Sequence, residues 1–300
     1  ADSGKEAVDG LKAQVFDNRD FGYWKITVER PLRKSAQFTA ERIAALRFDK
    51  RLSEEMQWMF EQWGEQVYEA GFLKGKEQKD SLDDWLEEEE IDRKAADKKK
   101  LLNTKFWKDR LELLQAAQTL HAEMGEALSN DFNQFQKQVK KATKRLDLRL
   151  SASQVKQILD AVSWRDPEAV PVLNKMSVFD YGEFCEGGSF VESAAARYGH
   201  FPVKGGYWSY EPDSELRDTE NVPLNYPGGI DAYFEKEVHP HVEDAWIDAS
   251  KTVVGYEISF NKYFYVHQPL RDLDEVVQEI RDLEAETEGL LEQILNFSNK

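Results

Sequence analysis

Residues 131–150 read DFNQFQKQVKKATKRLDLRL, and the spacing of their apolar side chains decides the fold of the middle of the chain. Apolar residues recur at intervals of three and four, at Phe132, Phe135, Val139, Ala142, Leu146 and Leu150. This is the period of an α-helix with one buried face. Because no proline and few glycines interrupt residues 35–150, we expect long helices packed as hairpins over residues 35–163.

Other helix and strand signals lie around this stretch. Residues 23–28 alternate in the manner of a strand that Pro31 ends. A long helix is predicted over 98–128, and Asp166-Pro167 is typical of a helix start. Further helix starts are predicted at Ser81, at Ser129 or Asn130, and at Ser153.

The C-terminal tail carries the longest unbroken helical pattern. Intervals of three and four separate Leu273, Val276, Ile280, Leu283, Thr287, Leu290, Ile294 and Phe297. A helix of this length measures about 38 Å. The intervening residues are mostly acidic, amide or basic, which indicates a coiled-coil seam rather than a membrane helix. Either the helix folds back on its own chain, or the seam is offered to a partner helix.

Four segments follow from these patterns. Residues 1–34 are a linker and strand, and 35–163 are helical. Residues 164–269 are a mixed α/β region of short strands and turns, and 270–300 are the C-terminal coiled-coil helix. The expected fold class is mainly α with a smaller mixed α/β part.

Charge and composition restrict the function. A formal net charge of −17 opposes strong DNA binding by the whole chain, since phosphate contacts need clustered Lys and Arg. One local cluster is nevertheless basic: Lys137, Lys140, Lys141, Lys144 and Arg145, followed by Arg149. A second comprises Lys98, Lys99, Lys100, Lys105 and Lys108. Each is either a solvated helix face or a contact to DNA phosphates within an assembly.

The sequence carries only weak signals for a reactive cysteine or a metal site. Cys185 is the single cysteine, which excludes an internal disulfide and a cysteine-rich zinc site. His239-Pro240-His241 is a poor metal site because proline separates its two histidines. No apolar run is long enough to span a bilayer, and the first residues hold no secretory signal, so we expect a cytoplasmic protein without membrane contact.

Two blocks of sequence carry a family resemblance. The first spans residues 15–33 and includes Asp20-Phe21-Gly22-Tyr23-Trp24 and Glu29-Arg30-Pro31-Leu32-Arg33. The second spans 210–268; its motifs are Tyr210-Glu211-Pro212-Asp213, Leu216–Leu224, Tyr233–Val238, Pro240-His241-Val242, Asp244–Asp248, Val254–Phe260 and Tyr263–Tyr265. In this order they resemble the C-terminal end of the modification (M) subunit of type I restriction–modification systems, which methylate adenine at N6 in DNA. His239 departs from the family, where that position is usually apolar.

The same resemblance implies that catalysis belongs to a different domain of the M subunit. The family's catalytic domain needs a Phe-x-Gly-x-Gly turn for S-adenosylmethionine and an Asn- or Asp-Pro-Pro-aromatic loop for the flipped base. This sequence contains neither Gly-x-Gly nor Pro-Pro, and its nearest approaches are Asp180-Tyr181-Gly182 and Asp166-Pro167-Glu168. We therefore expect no catalytic, cofactor or metal residues here, and a catalytic domain upstream of Ala1.

The resemblance further implies partners. In the family this end of the M subunit docks on helices of the specificity (S) subunit, and the seam residues Leu273, Val276, Ile280, Leu283, Leu290, Ile294 and Phe297 are the expected contacts. The assembly encloses DNA and recruits a restriction subunit. Two alternatives remain at this point: an autonomous methyltransferase, which the missing signatures disfavour, and a free-standing helical adaptor unrelated to DNA modification.

Overall fold

The structure, a computed structural model, describes residues 7–8, 11–12, 15–186, 189–258 and 272–297. The chain divides into two compact units. The smaller unit comprises residues 1–23, 223–225 and 255–300, and the larger comprises 24–222 and 226–254. Helices hold about 52% of the residues and the strands are short, so the expected helical majority with a smaller β part is confirmed.

Eleven α-helices lie in the described part of the chain. They are α1 Asn18–Phe21, α2 Ala40–Ala44, α3 Ser53–Trp63, α4 Lys76–Glu88, α5 Ala95–Leu101, α6 Thr104–Met124, α7 Phe132–Arg145, α8 Ala152–Ala161, α9 Glu192–Arg197, α10 Gly229–Tyr233 and α11 Leu273–Phe297. Short 3₁₀ turns cover Ala45–Arg47, Gly64–Tyr68, Phe72–Lys74, Tyr181–Phe184 and Ala249–Lys251, and a π-turn at Phe234–Val238 extends α10.

The strands are β1 Ala7–Val8, β2 Leu11–Lys12, β3 Gly22–Glu29, β4 Lys34–Ala36, β5 Ser163–Arg165, β6 Leu173–Met176, β7 Cys185–Glu186, β8 Ser189–Phe190, β9 Phe201–Val203, β10 Gly206–Tyr210, β11 Asp218–Pro223, β12 Trp246–Ile247 and β13 Val253–Tyr256. The largest sheet has the order β11-β3-β12, and β13 also pairs with β3. A second sheet has the order β6-β10-β9. The predicted strand at 23–28 is therefore confirmed as the centre of the main sheet.

Helix α7 forms where its sequence predicts, but it ends at Arg145, so Leu150 lies beyond it. Phe132, Phe135, Val139 and Ala142 are buried, and they pack with α2, α6 and α8 in one hydrophobic core. The N-cap is Asp131, whose carboxylate accepts the Gln134 amide at 3.0 Å, rather than Ser129 or Asn130. Asp131 is the N-cap because its side chain reaches the third backbone amide of the helix.

Four other predicted helix boundaries are wrong. The helix expected over 98–128 is broken at 102–103, where the Asn103 side chain caps α6 and the Trp107 indole donates to the Leu101 carbonyl at 2.7 Å. Ser81 lies inside α4, which begins at Lys76. No helix starts at Asp166-Pro167: one Asp166 oxygen accepts the Glu168 amide at 3.0 Å in a local turn, and the other accepts the Ser35 hydroxyl across the β4–β5 pair. The predicted start at Ser153 shifts to Ser151, which forms a capping box with Gln154.

Two more cores complete the larger unit. One gathers α3, α4, α5 and the start of α6 around Met56, Met59, Leu82, Leu86 and Trp107. The other packs Ile26 and Val28 of β3 against Val222, Phe234 and Ile247. This last core brings Ile26 and Val28 of the first motif block into contact with residues 222–247 of the second block.

Candidate functional site

The two motif blocks converge on strand β3. The Leu32 amide donates to the Glu211 carbonyl at 2.7 Å, and the Asp213 amide donates to the Arg30 carbonyl at 2.8 Å. β12 pairs antiparallel with β3, with Trp246 opposite Glu29. Segments that lie some 180 residues apart in sequence therefore form one module.

Ion pairs hold this module together, and sequence reasoning did not foresee them. Glu29 is buried, and its Oε1 accepts both Arg217 Nε at 2.7 Å and Lys251 Nζ at 2.8 Å. We call these three residues the Glu29 clamp. Lys251 also contacts Asp248 at 2.8 Å. Burial disfavours the ionised Asp248 carboxyl and by itself would raise the pKa. Hydrogen bonds from Lys251 and Ser250 outweigh this effect, so the pKa of Asp248 is lowered.

Asp244 of the second motif block contacts two arginines of the first block. Asp244 accepts Arg30 Nε at 2.9 Å and Arg33 Nη2 at 3.3 Å. Both are charge-assisted and half-buried contacts, which are stronger than exposed pairs. Nothing in the sequence indicates these pairs, because the partners lie 214 and 211 residues apart.

Two motif glycines are needed for close approach in the smaller unit. A Cβ on Gly22 would lie 2.2 Å from Leu224 Cδ1, and one on Gly255 would lie 2.6 Å from the Tyr23 ring. Real carbon atoms do not approach so closely, so a larger residue at position 255 would have to displace an aromatic ring. Glycine at these positions is therefore explained by packing.

The basic face of α7 consists of Lys137, Lys140, Lys141 and Lys144, which are all exposed opposite the buried residues of the helix. No described carboxylate forms an ion pair with these four lysines, whereas neighbouring Arg145 pairs with Glu123. Arg149 is also exposed. The face is thus a row of free positive charges on a rigid element, the kind of surface that phosphate contacts use.

The second lysine cluster has a different environment. Lys98 is half-buried and donates to Asp83 at 2.5 Å. Lys99, Lys100, Lys105 and Lys108 are exposed, but they follow a strongly acidic stretch that includes Glu87, Glu88, Glu89 and Glu90. These four lysines are divided between α5 and α6, whereas those of α7 share one helix face, so α7 presents the more compact basic surface.

The C-terminal helix α11 is continuous over 25 residues. In the first half of its seam, Leu273 is 75% exposed, Ile280 55% and Leu283 61%, while Val276 is half-buried. Leu290, Ile294 and Phe297 lie within the helix, but their side chains are outside the described residues. The described half of the seam thus presents large apolar side chains to solvent, which a stable surface rarely does in a row.

The remaining motif candidates have structural roles. Asp180 accepts the Gly182 amide at 2.8 Å and so caps a 3₁₀ turn. His239 Nδ1 lies 3.8 Å from Glu235 on the adjacent turn. Cys185 is exposed. Within the described ranges, no group of three or more His, Cys, Asp and Glu side chains is placed to hold a metal ion.

Comparison with known proteins adds no neighbour. No family model, no curated protein and no solved structure gives a significant match to this chain. None of the described helices is long and apolar enough to cross a membrane.

Proposed function

We propose that this chain is the non-catalytic C-terminal assembly segment of a type I M subunit. In this proposal it works in the cytoplasm, joins the methyltransferase domain of the same subunit to the S subunit, and helps to enclose DNA. The parent enzyme uses S-adenosylmethionine to methylate adenine at N6 in a site that the S subunit selects. A restriction subunit joins the complete assembly.

The observation that carries the proposal is the exposed seam of α11. Burying the exposed apolar area of Leu273, Ile280 and Leu283 is favourable at roughly 25 cal/mol per Å². A partner helix with a matching apolar ridge would cover it as a coiled coil, and the acidic and amide residues on the other faces would stay in water. The S subunit supplies such helices in the family that the sequence resembles.

The motif module supports the same proposal from an independent direction. Residues of both resembling blocks meet in the Glu29 clamp, in the Asp244 contacts and in the pairing of β3 with β12. Motif residues that contact one another are expected if the two blocks descend from one family domain. The free lysines of α7 fit a role in backbone contact once the assembly closes on a duplex.

The test is co-purification of the M subunit with its S subunit. Ile280→Asp with Leu283→Asp places two charges in the seam, and a buried charge without a partner is strongly unfavourable. The matched control, Gln278→Asp with Ala285→Asp, adds the same charge to exposed positions outside the seam. We expect the seam variant to lose the S subunit and the control to retain it.

Two results would contradict the proposal. Equal retention of the S subunit by the seam variant and the control would remove the docking role and leave the helical adaptor as the better interpretation. Saturable binding of S-adenosylmethionine by this chain alone would favour an autonomous methyltransferase.

A further inference from the structure

One pocket of the larger unit lies between the turn after α2, the first half of α6 and the end of α8. Its volume is about 820 Å³, which is within the range of small-molecule sites. Its polar wall is formed by Lys34, Asp49, Lys50, Arg110, Gln157 and Asp160. Apolar side chains, among them Leu46 and Phe48, complete the wall.

Arg110 is the unusual residue of this pocket. Its side chain comes from the buried part of α6, and the residue is only 9% exposed. The guanidinium donates to Gln157 Oε1 at 2.6 Å and to the Phe48 carbonyl, and both acceptors are neutral. Its Nε is buried, and no described residue supplies it with an acceptor. A buried charge with neutral acceptors alone is costly, and arginine is suited to bind carboxylate or phosphate through two parallel N–H groups.

The carboxylates of the pocket wall are already engaged. Asp160 pairs with Lys34 at 3.6 Å, and Asp49 accepts the Arg51 amide at 3.0 Å. In the described part of the chain neither forms an ion pair with Arg110. Burial lowers the pKa of Arg110, and the more distant charge of Asp49 only partly opposes this effect. With Lys50 exposed at the rim, the wall retains an excess of positive charge.

We propose that this pocket binds a small organic anion, with Arg110 holding a phosphate or carboxylate group and the apolar wall receiving the body of the molecule. Lys50 supplies the second positive charge at the entrance. Inorganic phosphate would occupy only the Arg110 end, whereas a nucleotide-sized anion fills more of the volume. The proposal is independent of the proposed function, because no residue of the pocket belongs to the α11 seam or to the basic face of α7.

The test measures binding of inorganic phosphate, citrate, adenosine monophosphate and a short DNA duplex to the full chain, by calorimetry and by the shift in thermal unfolding. We expect at least one small anion to bind and to raise the melting temperature. Arg110→Gln should weaken that binding tenfold or more, and Lys50→Gln about threefold. Lys156→Gln is the matched control: it removes an exposed lysine of α8 outside the pocket and should leave affinity unchanged.

Several outcomes would overturn the proposal. One is the absence of binding by all three small anions at millimolar concentration, including the case in which only the duplex binds. Another is small-anion binding that disappears when the four lysines of α7 are changed to glutamine, since the anion would then sit on that face. If Arg110→Gln does not fold, Lys50→Gln decides: an affinity equal to that of Lys156→Gln contradicts the site.

Discussion

Helices α7 and α11 share one sequence pattern and have opposite environments. Both place apolar residues at intervals of three and four, yet Phe135 and Val139 of α7 are buried, whereas Ile280 and Leu283 of α11 are exposed. The difference shows that periodicity specifies a helix and its apolar face, but not what covers that face. In α7 the cover is the chain's own core, and in α11 we propose that it is the S subunit.

The largest expected difference between the two helices is in stability. Val139→Asp should lower the free energy of unfolding of the larger unit by about 3–5 kcal/mol, because it buries a charge without a partner. Ile280→Asp in the isolated chain should change stability by no more than about 0.5 kcal/mol, as exposed substitutions do. Urea denaturation measures both, and a comparable loss in the two variants would mean that α11 is packed against its own chain.

A smaller loss is expected at the Glu29 clamp. Glu29→Gln leaves Arg217 and Lys251 facing a neutral amide and should cost about 1–3 kcal/mol, since one partner of a buried ionic contact is removed. Glu168→Gln changes an exposed carboxylate without an ion-pair partner in the described part of the chain and serves as the control. If both variants unfold at the same urea concentration, the clamp does not hold the two motif blocks together.

The basic face of α7 should affect DNA binding rather than folding. Changing Lys137, Lys140, Lys141 and Lys144 to glutamine in the assembled enzyme should reduce the slope of log affinity against log salt by up to about 3–4, because each phosphate contact contributes roughly 0.9. The matched control changes Lys99, Lys100, Lys105 and Lys108 in the same way. Equal slopes for the two variants would show that the α7 lysines only face water.

The smallest effect concerns pH. Asp248 has a lowered pKa, so its ionised form stabilises the folded state above its ordinary value of 3.8, and this contribution is lost as the pH falls below that value. Since the side chain is partly exposed, the difference in stability between wild type and Asp248→Asn should be under about 1 kcal/mol at neutral pH. It should vanish in acid. A difference that persists unchanged at low pH would assign the effect to packing.

Local patterns were sufficient where the determining contacts are local. The buried positions of α7, the strand at β3 and the continuity of α11 all follow from spacing. The break before α6 is an exception: its contacts are local, but the continuing apolar period over 98–128 obscured the Asn103 cap and the bond from the Trp107 indole to the Leu101 carbonyl. Asp166 does accept the nearby Glu168 amide, but its bond with Ser35, 131 residues away, has no local sequence signal.

The candidate sites also differ in how far local sequence patterns predict them. The exposure of the α7 lysines could be predicted from the helical period, whereas their lack of acidic partners required the structure. Glu29, Asp244 and Arg110 carry no local signal at all. Their roles come from chain segments that meet only in the folded protein.

Hydrogen exchange of α11 with and without the S subunit tests the central claim most directly. We predict that the amides of residues 273–297 exchange faster than those of α7 in the free M subunit, and become strongly protected when the S subunit binds, while α7 is unchanged. Protection of α11 that is the same with and without the S subunit would contradict the account.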